Sequence, residues 1–188
     1  PPPLFQAEDG IRDRRKSLVG SEMCIRDSWE SEPIVGKIFY MNPKGELRQV
    51  ANDLHYANGI ALSNDGKTLF LAESEASRVI QFNVQPDGSL SDRRLFVRIG
   101  QVDPDSGSFA YPDGLKMDSK GNLYIGQLSK GRIIVVSSER KLVKTIDVPS
   151  PGAPNLNFGP DEAVVYIMAV DDPNNAPYWG KVYEVPNK

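Results

Sequence analysis

The chain has 188 residues, of which 39% are hydrophobic and 25% are charged, and its formal net charge is −3. This balance is typical of a globular domain. The small, evenly spread charge argues against a nucleic-acid partner, and no apolar run is long enough to span a membrane. The single cysteine and single histidine exclude a disulfide framework, a multi-cysteine zinc site and any site built from two imidazoles.

Residues 1–28 differ in character from the rest of the chain. They show neither helical nor strand periodicity, and they lack the apolar core of ~7–15 residues that a signal peptide needs. Residues 6–13 (QAEDGIRD) and 17–28 (SLVGSEMCIRDS) resemble translations of the two constant parts of a sequencing-library adapter. We therefore predict a non-native, disordered leader at 1–28 and a native domain at 29–188 that lacks its true N-terminus, so the compartment cannot be read.

Short strand-like runs separated by tight turns fill residues 29–188. An incomplete unit at about 36–50 is followed by three longer units at 58–98, 113–147 and 155–186. Each longer unit begins with a short polar residue and an apolar stretch, and continues through a turn into two further runs rich in β-branched and aromatic residues. The third runs are RVIQF from Arg78, RIIVV from Arg132 and KVYEV from Lys181.

The spacing of these runs predicts the fold class. Four short strands in ~40–50 residues are the signature of a β-propeller blade. We therefore predict an all-β chain that carries about three and a half blades of a propeller. A β-sandwich of short strands is the alternative, but the internal repeat argues against it.

Three motifs carry a family resemblance. They are ANGIALSNDGKTLFLAE from Ala57, YPDGLKMDSKGNLYIG from Tyr111 and PNLNFGPDEAVVYIMA from Pro154. Their content and order resemble the C-terminal half of the senescence-marker-protein/gluconolactonase/regucalcin family, over about residues 33–188. That family consists of six-bladed propellers that hydrolyse lactones with a divalent metal. The resemblance implies a lactonase that acts on a sugar lactone such as gluconolactone, with no nucleic-acid or membrane partner, and that is a monomer at full length.

The resemblance also implies the site residues. The family's metal ligands are a Glu from the first blade, the Asn of the NG motif and the Asp of the PDG motif. The last two match Asn58 and Asp113, whereas the Glu and an upstream substrate-binding Asn have no counterpart here. Equivalent places at the start of two inner strands would direct both side chains to the mouth of the central channel. The competing interpretation is that both are ordinary turn residues.

This ligand set predicts the cofactor and its chemistry. Oxygen donors suit one divalent cation, Ca²⁺ first, with Mg²⁺, Zn²⁺ or Mn²⁺ as alternatives. Such a cation polarises a lactone carbonyl and acidifies a bound water. Asp113 is the predicted catalytic base for that water. Because the ring is open and the Glu is missing, we expect the chain as written to be inactive.

Several other residues are weaker candidates. Asn155 is interpreted as the third equivalent position, and His55 lies three residues before Asn58, so both are candidate substrate-binding residues. The alternative for Asn155 is that it caps the start of a strand, and the alternative for His55 is that it lies in a surface loop. Glu73 is interpreted as a solvated strand end on the far side from Asn58. The long loop at 100–111 is expected to line the mouth as a lid.

Two other classes of function remain open from the sequence. One is a propeller that binds a ligand without catalysis, which would not need the acidic Asp113 in the channel. The other is a related propeller hydrolase of the strictosidine-synthase-like or phosphotriesterase-like type. A metal titration together with a panel of lactone and phosphoester substrates would separate these three hypotheses.

Overall fold

The computed structural model describes residues 17–19, 36–172, 175, 177 and 179–188. Within the predicted leader at 1–28, only Ser17–Val19 is described, and it forms a short strand that pairs antiparallel with residues 39–41. The rest of the leader lies outside the described residues, so its non-native origin stays a prediction. No helix in the described part of the chain has the length and apolar character needed to cross a membrane.

The described residues are organised as short antiparallel strands joined by tight turns. In chain order the strands are β1 (Ser17–Val19), β2 (Gly36–Met41), β3 (Leu47–Leu54), β4 (Ala57–Leu62), β5 (Thr68–Glu73), β6 (Arg78–Val84), β7 (Leu90–Arg98), β8 (Pro112–Met117), β9 (Leu123–Gln127), β10 (Arg132–Val136), β11 (Leu142–Asp147), β12 (Gly152–Phe158), β13 (Val164–Val170) and β14 (Gly180–Pro186). A single-turn helix, α1 (Ile99–Val102), and 3₁₀ turns at Pro104–Ser106 and Pro160–Glu162 complete the described elements.

Strand pairing confirms the predicted β-propeller blades. Strands β4–β7 pair in chain order as one four-stranded antiparallel sheet, and β8–β11 repeat the same meander. Strands β12–β14 form a three-stranded third blade, which also pairs with β9 where Ala153 faces Gln127. Strands β2 and β3 form the incomplete unit that precedes them. The blade boundaries follow the turn signals in the sequence, because turn residues end each strand.

Three apolar layers lie between successive blades. Phe70 and Val79 of the β4–β7 blade share one layer with Leu123 and Ile125 of the β8–β11 blade. A second layer joins the β8–β11 and β12–β14 blades, and a third joins β2–β3 to β4–β7. Middle strands are therefore covered on both faces, which explains why they are continuous apolar runs rather than alternating ones. Burial of each large aliphatic side chain contributes roughly 1.5–3 kcal/mol.

Candidate functional site

The two predicted metal ligands lie in matching irregularities of the inner strands. The register of β4 against β5 shifts within residues 57–60, and the register of β8 against β9 shifts within residues 112–115. Each shift places one extra residue in the inner strand, as in a β-bulge. Asn58 and Asp113 both fall inside these shifts. The structure therefore confirms that they occupy equivalent positions in adjacent blades.

A glycine next to each ligand lets the inner strands approach closely. A Cβ atom built on Gly59 would lie 1.9 Å from the carbonyl oxygen of Asp113. A Cβ atom on Gly114 would lie 2.4 Å from Oδ1 of Asn155. A side chain at Gly59 would force the backbone of the next blade away, whereas one at Gly114 would first displace the side chain of Asn155. The close pass brings Asn58 beside Asp113 although they belong to different blades.

Hydrogen bonds join Asn58 and the residue before Asp113 to a buried serine. The amide nitrogen of Asn58 donates to Oγ of Ser74 at 3.3 Å, and Ser74 Oγ donates to the carbonyl oxygen of Pro112 at 2.6 Å. The Asn58 side chain is also hydrogen bonded to the Asp113 carboxylate. Ser74 is buried and follows β5 directly. Nothing in its local sequence marked it as a site residue, because its role depends on a contact with the next blade.

The carboxyl group of Asp113 is electrostatically unusual. Burial raises its pKa from the ordinary value of 3.8 to about 6, against the opposing effect of hydrogen bonds from Asn58 and from the backbone of Gly114. A carboxyl group with this pKa is largely ionised at neutral pH, yet binds a proton more tightly than a solvated aspartate does. Such a group is suited to accept a proton from water or to ligate a cation.

The donor atoms at this position fit a hard divalent cation in type. The Asp113 carboxylate and the Asn58 amide oxygen are the kinds of ligand that Ca²⁺ prefers. Across the described ranges, no three His, Cys, Asp or Glu side chains form a group that could hold a metal ion. Because Ca²⁺ takes 6–8 oxygen ligands, these two residues supply only part of a coordination shell. A cation bound between them would replace the hydrogen bond that now joins the two side chains.

The register corrects the interpretation of Asn155. The residues that directly follow the three inner strands each donate their backbone amide across the following turn at 2.8–3.0 Å; they are Ser63, Asp118 and Gly159. Asn58 precedes Ser63 by the same number of residues as Asp113 precedes Asp118. The same count back from Gly159 leads to Pro154. The register agrees that Asn155 is not the equivalent residue, because it pairs with Met168 at the edge of the shift in β12, whereas Asn58 and Asp113 lie inside theirs. The predicted equivalence of Asn155 to Asn58 is therefore wrong.

Asn155 nevertheless lies close to the candidate site. Its Oδ1 accepts a hydrogen bond from the amide of Leu156 at 2.8 Å and lies against Gly114, next to Asp113. This contact places a second amide side chain, after that of Asn58, at the same end of the blades. A role for Asn155 in substrate binding stays a prediction.

The interpretation of Glu73 as a solvated strand end is wrong. Glu73 is fully buried and forms ion pairs with Arg78 at 2.6 Å and Arg93 at 3.0 Å. It also pairs across the sheet with Ala57, so it lies at the same end of the blade as Asn58. The sequence offers no local sign of this burial, because Arg93 reaches Glu73 from another strand.

His55 lies beside the site, but its described contact is through the backbone. Its amide donates to Oε1 of Glu73 at 2.8 Å, and the residue as a whole is half-buried. The loop predicted as a lid at 100–111 folds into α1 and a 3₁₀ turn. With Ser77 and Arg98 it lines a cavity of about 350 Å³. Substrate binding by His55 and a lid function for this loop both stay predictions.

Comparison with known proteins identifies what the chain resembles. The family model described as SMP-30/Gluconolactonase/LRE-like region matches residues 3–171. A protein named lactonase drp35 from Staphylococcus saprophyticus is 26% identical over 165 residues, which cover 76% of this chain and 46% of that protein. The chain spans about half the length of the curated relatives that it matches.

Solved structures share the fold. A gluconolactonase from Xanthomonas campestris is 25% identical, with a TM-score of 0.64 over 82% of this chain and 46% of the other. A regucalcin from Agrobacterium tumefaciens, described as a calcium-binding protein, is 18% identical, with a TM-score of 0.69 over 82% of this chain and 53% of the other. At this low identity, the similarity to the regucalcin supports only the propeller fold.

Proposed function

Because the chain belongs to the SMP-30/gluconolactonase/LRE-like family, we propose that it forms part of a metal-dependent hydrolase that opens a lactone ring. A sugar lactone such as gluconolactone is the proposed substrate. The observation that carries this proposal is the pairing of Asn58 with Asp113, whose pKa burial raises to about 6. Relatives named as a lactonase and a gluconolactonase support the reaction class.

Asn58 and Asp113 are the proposed ligands of one divalent cation. Their amide and carboxylate oxygens favour Ca²⁺, and Mg²⁺, Zn²⁺ and Mn²⁺ are the alternatives. When bound, such a cation polarises a carbonyl oxygen and lowers the pKa of a coordinated water. Ser74 holds the amide of Asn58 and the backbone beside Asp113, so it orients both ligands.

The chain's own chemistry in the reaction is proton transfer by Asp113. Water attacks the lactone carbonyl carbon and gives a proton to the Asp113 carboxylate as the new carbon–oxygen bond forms. Cleavage of the ring carbon–oxygen bond then leaves an alkoxide, which takes the proton and becomes the hydroxyl of the acid product. The raised pKa of Asp113 suits both steps. The carboxylate readily accepts the proton of the attacking water, and the carboxyl group returns a proton to the alkoxide near neutral pH.

We also propose that the complete enzyme includes sequence beyond these 188 residues. The complete protein is the chain extended by its native upstream sequence. The resemblance assigns a third ligand, a Glu from the first blade, and no residue of this chain matches it. We expect the 188-residue chain alone to have no lactonase activity and the complete protein to have it.

The test is hydrolysis of gluconolactone by the complete protein, followed as acid release. We expect activity that a chelator removes and Ca²⁺ restores, and loss of at least about 100-fold in Asp113→Asn. The control is Asp161→Asn, the same substitution at an exposed turn residue with a positive φ that asparagine tolerates. Activity that survives the chelator would overturn the proposal, and phosphoester hydrolysis without lactone hydrolysis would favour a phosphotriesterase-like enzyme.

A further inference from the structure

A basic residue stands at the start of the third strand in each of the three described blades. Arg78 opens β6, Arg132 opens β10 and Lys181 is the second residue of β14. In an antiparallel meander, the start of the third strand and the start of the first strand lie at the same end of the sheet. Each basic residue therefore lies at the end where the loop enters the first strand of its own blade.

In the β4–β7 blade, Arg78 acts through Glu73. Its Nε lies 2.6 Å from Oε2 of the buried Glu73 carboxylate, whose Oε1 accepts the backbone amide of His55 at 2.8 Å. Arg93 reinforces this contact, because it bonds both Glu73 and the carbonyl oxygen of Asp53, each at 3.0 Å. The loop that leads into Asn58 is therefore held at two backbone groups.

In the β8–β11 blade, Arg132 holds the corresponding loop through Asp103. Its Nη1 lies 3.0 Å from Oδ2 of Asp103, which also accepts the hydroxyl of Ser106 at 2.6 Å. Burial opposes ionisation of Asp103, but these two partners outweigh it and lower its pKa below the usual value. Lys130 adds a contact from its Nζ to the carbonyl oxygen of Asp105. The loop that leads into Asp113 is therefore fixed to its own blade.

In the β12–β14 blade, Lys181 repeats the arrangement with weaker, more exposed partners. Its Nζ lies 2.7 Å from Oδ2 of Asp171, whose Oδ1 accepts the hydroxyl of Ser150 at 2.6 Å. Ser150 belongs to the loop that enters β12. The same basic position therefore reaches the entering loop in all three blades, although the carboxylate comes from a different element each time.

The entering loops need to be held because their backbones are strained. Tyr56 and Tyr111 stand two residues before Asn58 and Asp113 and have φ values of 52° and 40°. A bulky side chain at positive φ is energetically unfavourable and persists only where surrounding contacts impose it. The strained residue occupies the same position in both blades that supply a proposed ligand.

We infer that Arg78 and Arg132 are positioning residues, which fix the strained entering loops through carboxylates and thereby set Asn58 and Asp113 at the channel mouth. The consequence for the metal site rests on the proposed function, whereas the fixing of the loops does not. Lys181 performs the same task for a blade that supplies no proposed ligand. It is therefore a matched internal control.

Amide hydrogen exchange tests the loop contacts on the 188-residue chain, without any metal. We expect Arg132→Gln to raise exchange at least about tenfold within residues 99–113, and Lys181→Gln to raise it only within 148–155. For Arg78, the charge-retaining Arg78→Lys serves if Arg78→Gln does not fold, with the effect expected within residues 52–58. Arg140→Gln, at an exposed turn, is expected to change none of these. Exchange that rises evenly across all blades, or in none, would refute the inference.

Calcium affinity of the complete protein tests the consequence for the site. We expect Arg132→Gln to weaken Ca²⁺ binding at least about tenfold and Lys181→Gln less than about twofold. Ile146→Val, a buried core change in the same blade, controls for loss of stability. If Arg132→Gln weakens Ca²⁺ binding no more than Ile146→Val does, the positioning role is wrong. If Asp113→Asn leaves Ca²⁺ affinity unchanged, the proposed function is wrong. The hydrogen-exchange pattern then still decides whether Arg78 and Arg132 hold the entering loops.

Discussion

Gly59 and Asp113 belong to adjacent blades, and the backbone of Asp113 occupies the space that a side chain at position 59 would need. A Cβ atom on Gly59 would come within 1.9 Å of the Asp113 carbonyl oxygen and 2.8 Å of the Leu115 amide nitrogen. Both obstructing atoms are backbone, so neither can move without moving β8. This contact fixes the distance between the two inner strands that carry the proposed ligands.

The first expected consequence concerns Gly59→Ala. Because the new methyl group meets backbone, we expect a loss of about 3 kcal/mol in the free energy of unfolding, measured by chemical denaturation. Gly180→Ala is the matched control, since its Cβ would meet nothing closer than 3.5 Å. The control should change stability by less than about 0.5 kcal/mol. Equal stability of the two variants would show that the strands can separate at little cost.

Ser74 is expected to matter more than its small size suggests. Ser74→Ala removes the hydroxyl that donates to the Pro112 carbonyl and accepts from Asn58. A buried acceptor that loses its donor costs about 1–3 kcal/mol, and we expect a loss of that size in the free energy of unfolding. Ser138→Ala, at an exposed turn, is the control. Wild-type stability and wild-type Ca²⁺ affinity in Ser74→Ala would contradict its orienting role.

Glu73→Gln is expected to destabilise the chain strongly. The substitution keeps the shape of the side chain but leaves Arg78 and Arg93 without their shared negative partner. Both arginines are partly exposed, so we expect a loss of about 2–3 kcal/mol rather than the larger value typical of a fully buried pair. Urea denaturation beside Glu139→Gln, an exposed glutamate, measures the difference. A loss no larger than that of Glu139→Gln would mean that solvent compensates both arginines.

The raised pKa of Asp113 predicts a pH dependence of stability in metal-free protein. Between pH 3.8 and about 6 the folded state binds more protons at this carboxyl group than the unfolded state does. Stability from this group is therefore greatest below the unfolded pKa and falls as the pH rises to about 6, by at most about 3 kcal/mol. Asp113→Asn cannot titrate at this position and lacks this decline.

The measurement is the difference in the free energy of unfolding between wild type and Asp113→Asn, in the presence of chelator, from pH 3.5 to 7.5. We expect the difference to move in favour of the variant as the pH rises and to level off above about pH 7. Asp161→Asn, the exposed control, should show no such trend. A difference that moves the opposite way would mean that the native state favours the ionised carboxylate.

The blades and the equivalence of the two proposed ligands follow from the sequence alone. Turn residues and apolar runs act locally, so the units at 58–98 and 113–147 could be placed before any contact between them was known. The repeat also aligned Asn58 with Asp113, because both stand at the same distance from a turn that ends the inner strand. These features depend only on neighbours along the chain, and the structure agrees with them.

Burial, register and charge pairing depend on how distant strands pack, and the sequence did not reveal them. The buried Glu73 pairs with Arg93 of another strand, and Asp113 has a raised pKa because the folded chain buries its carboxyl group. Asn155 does not take the place of Asn58 in the third blade, because the register of β12 against β13, rather than a resemblance to the NG motif, sets the alignment. Each of these outcomes depends on how one strand packs against another, and strands in different blades can meet only once the chain has folded.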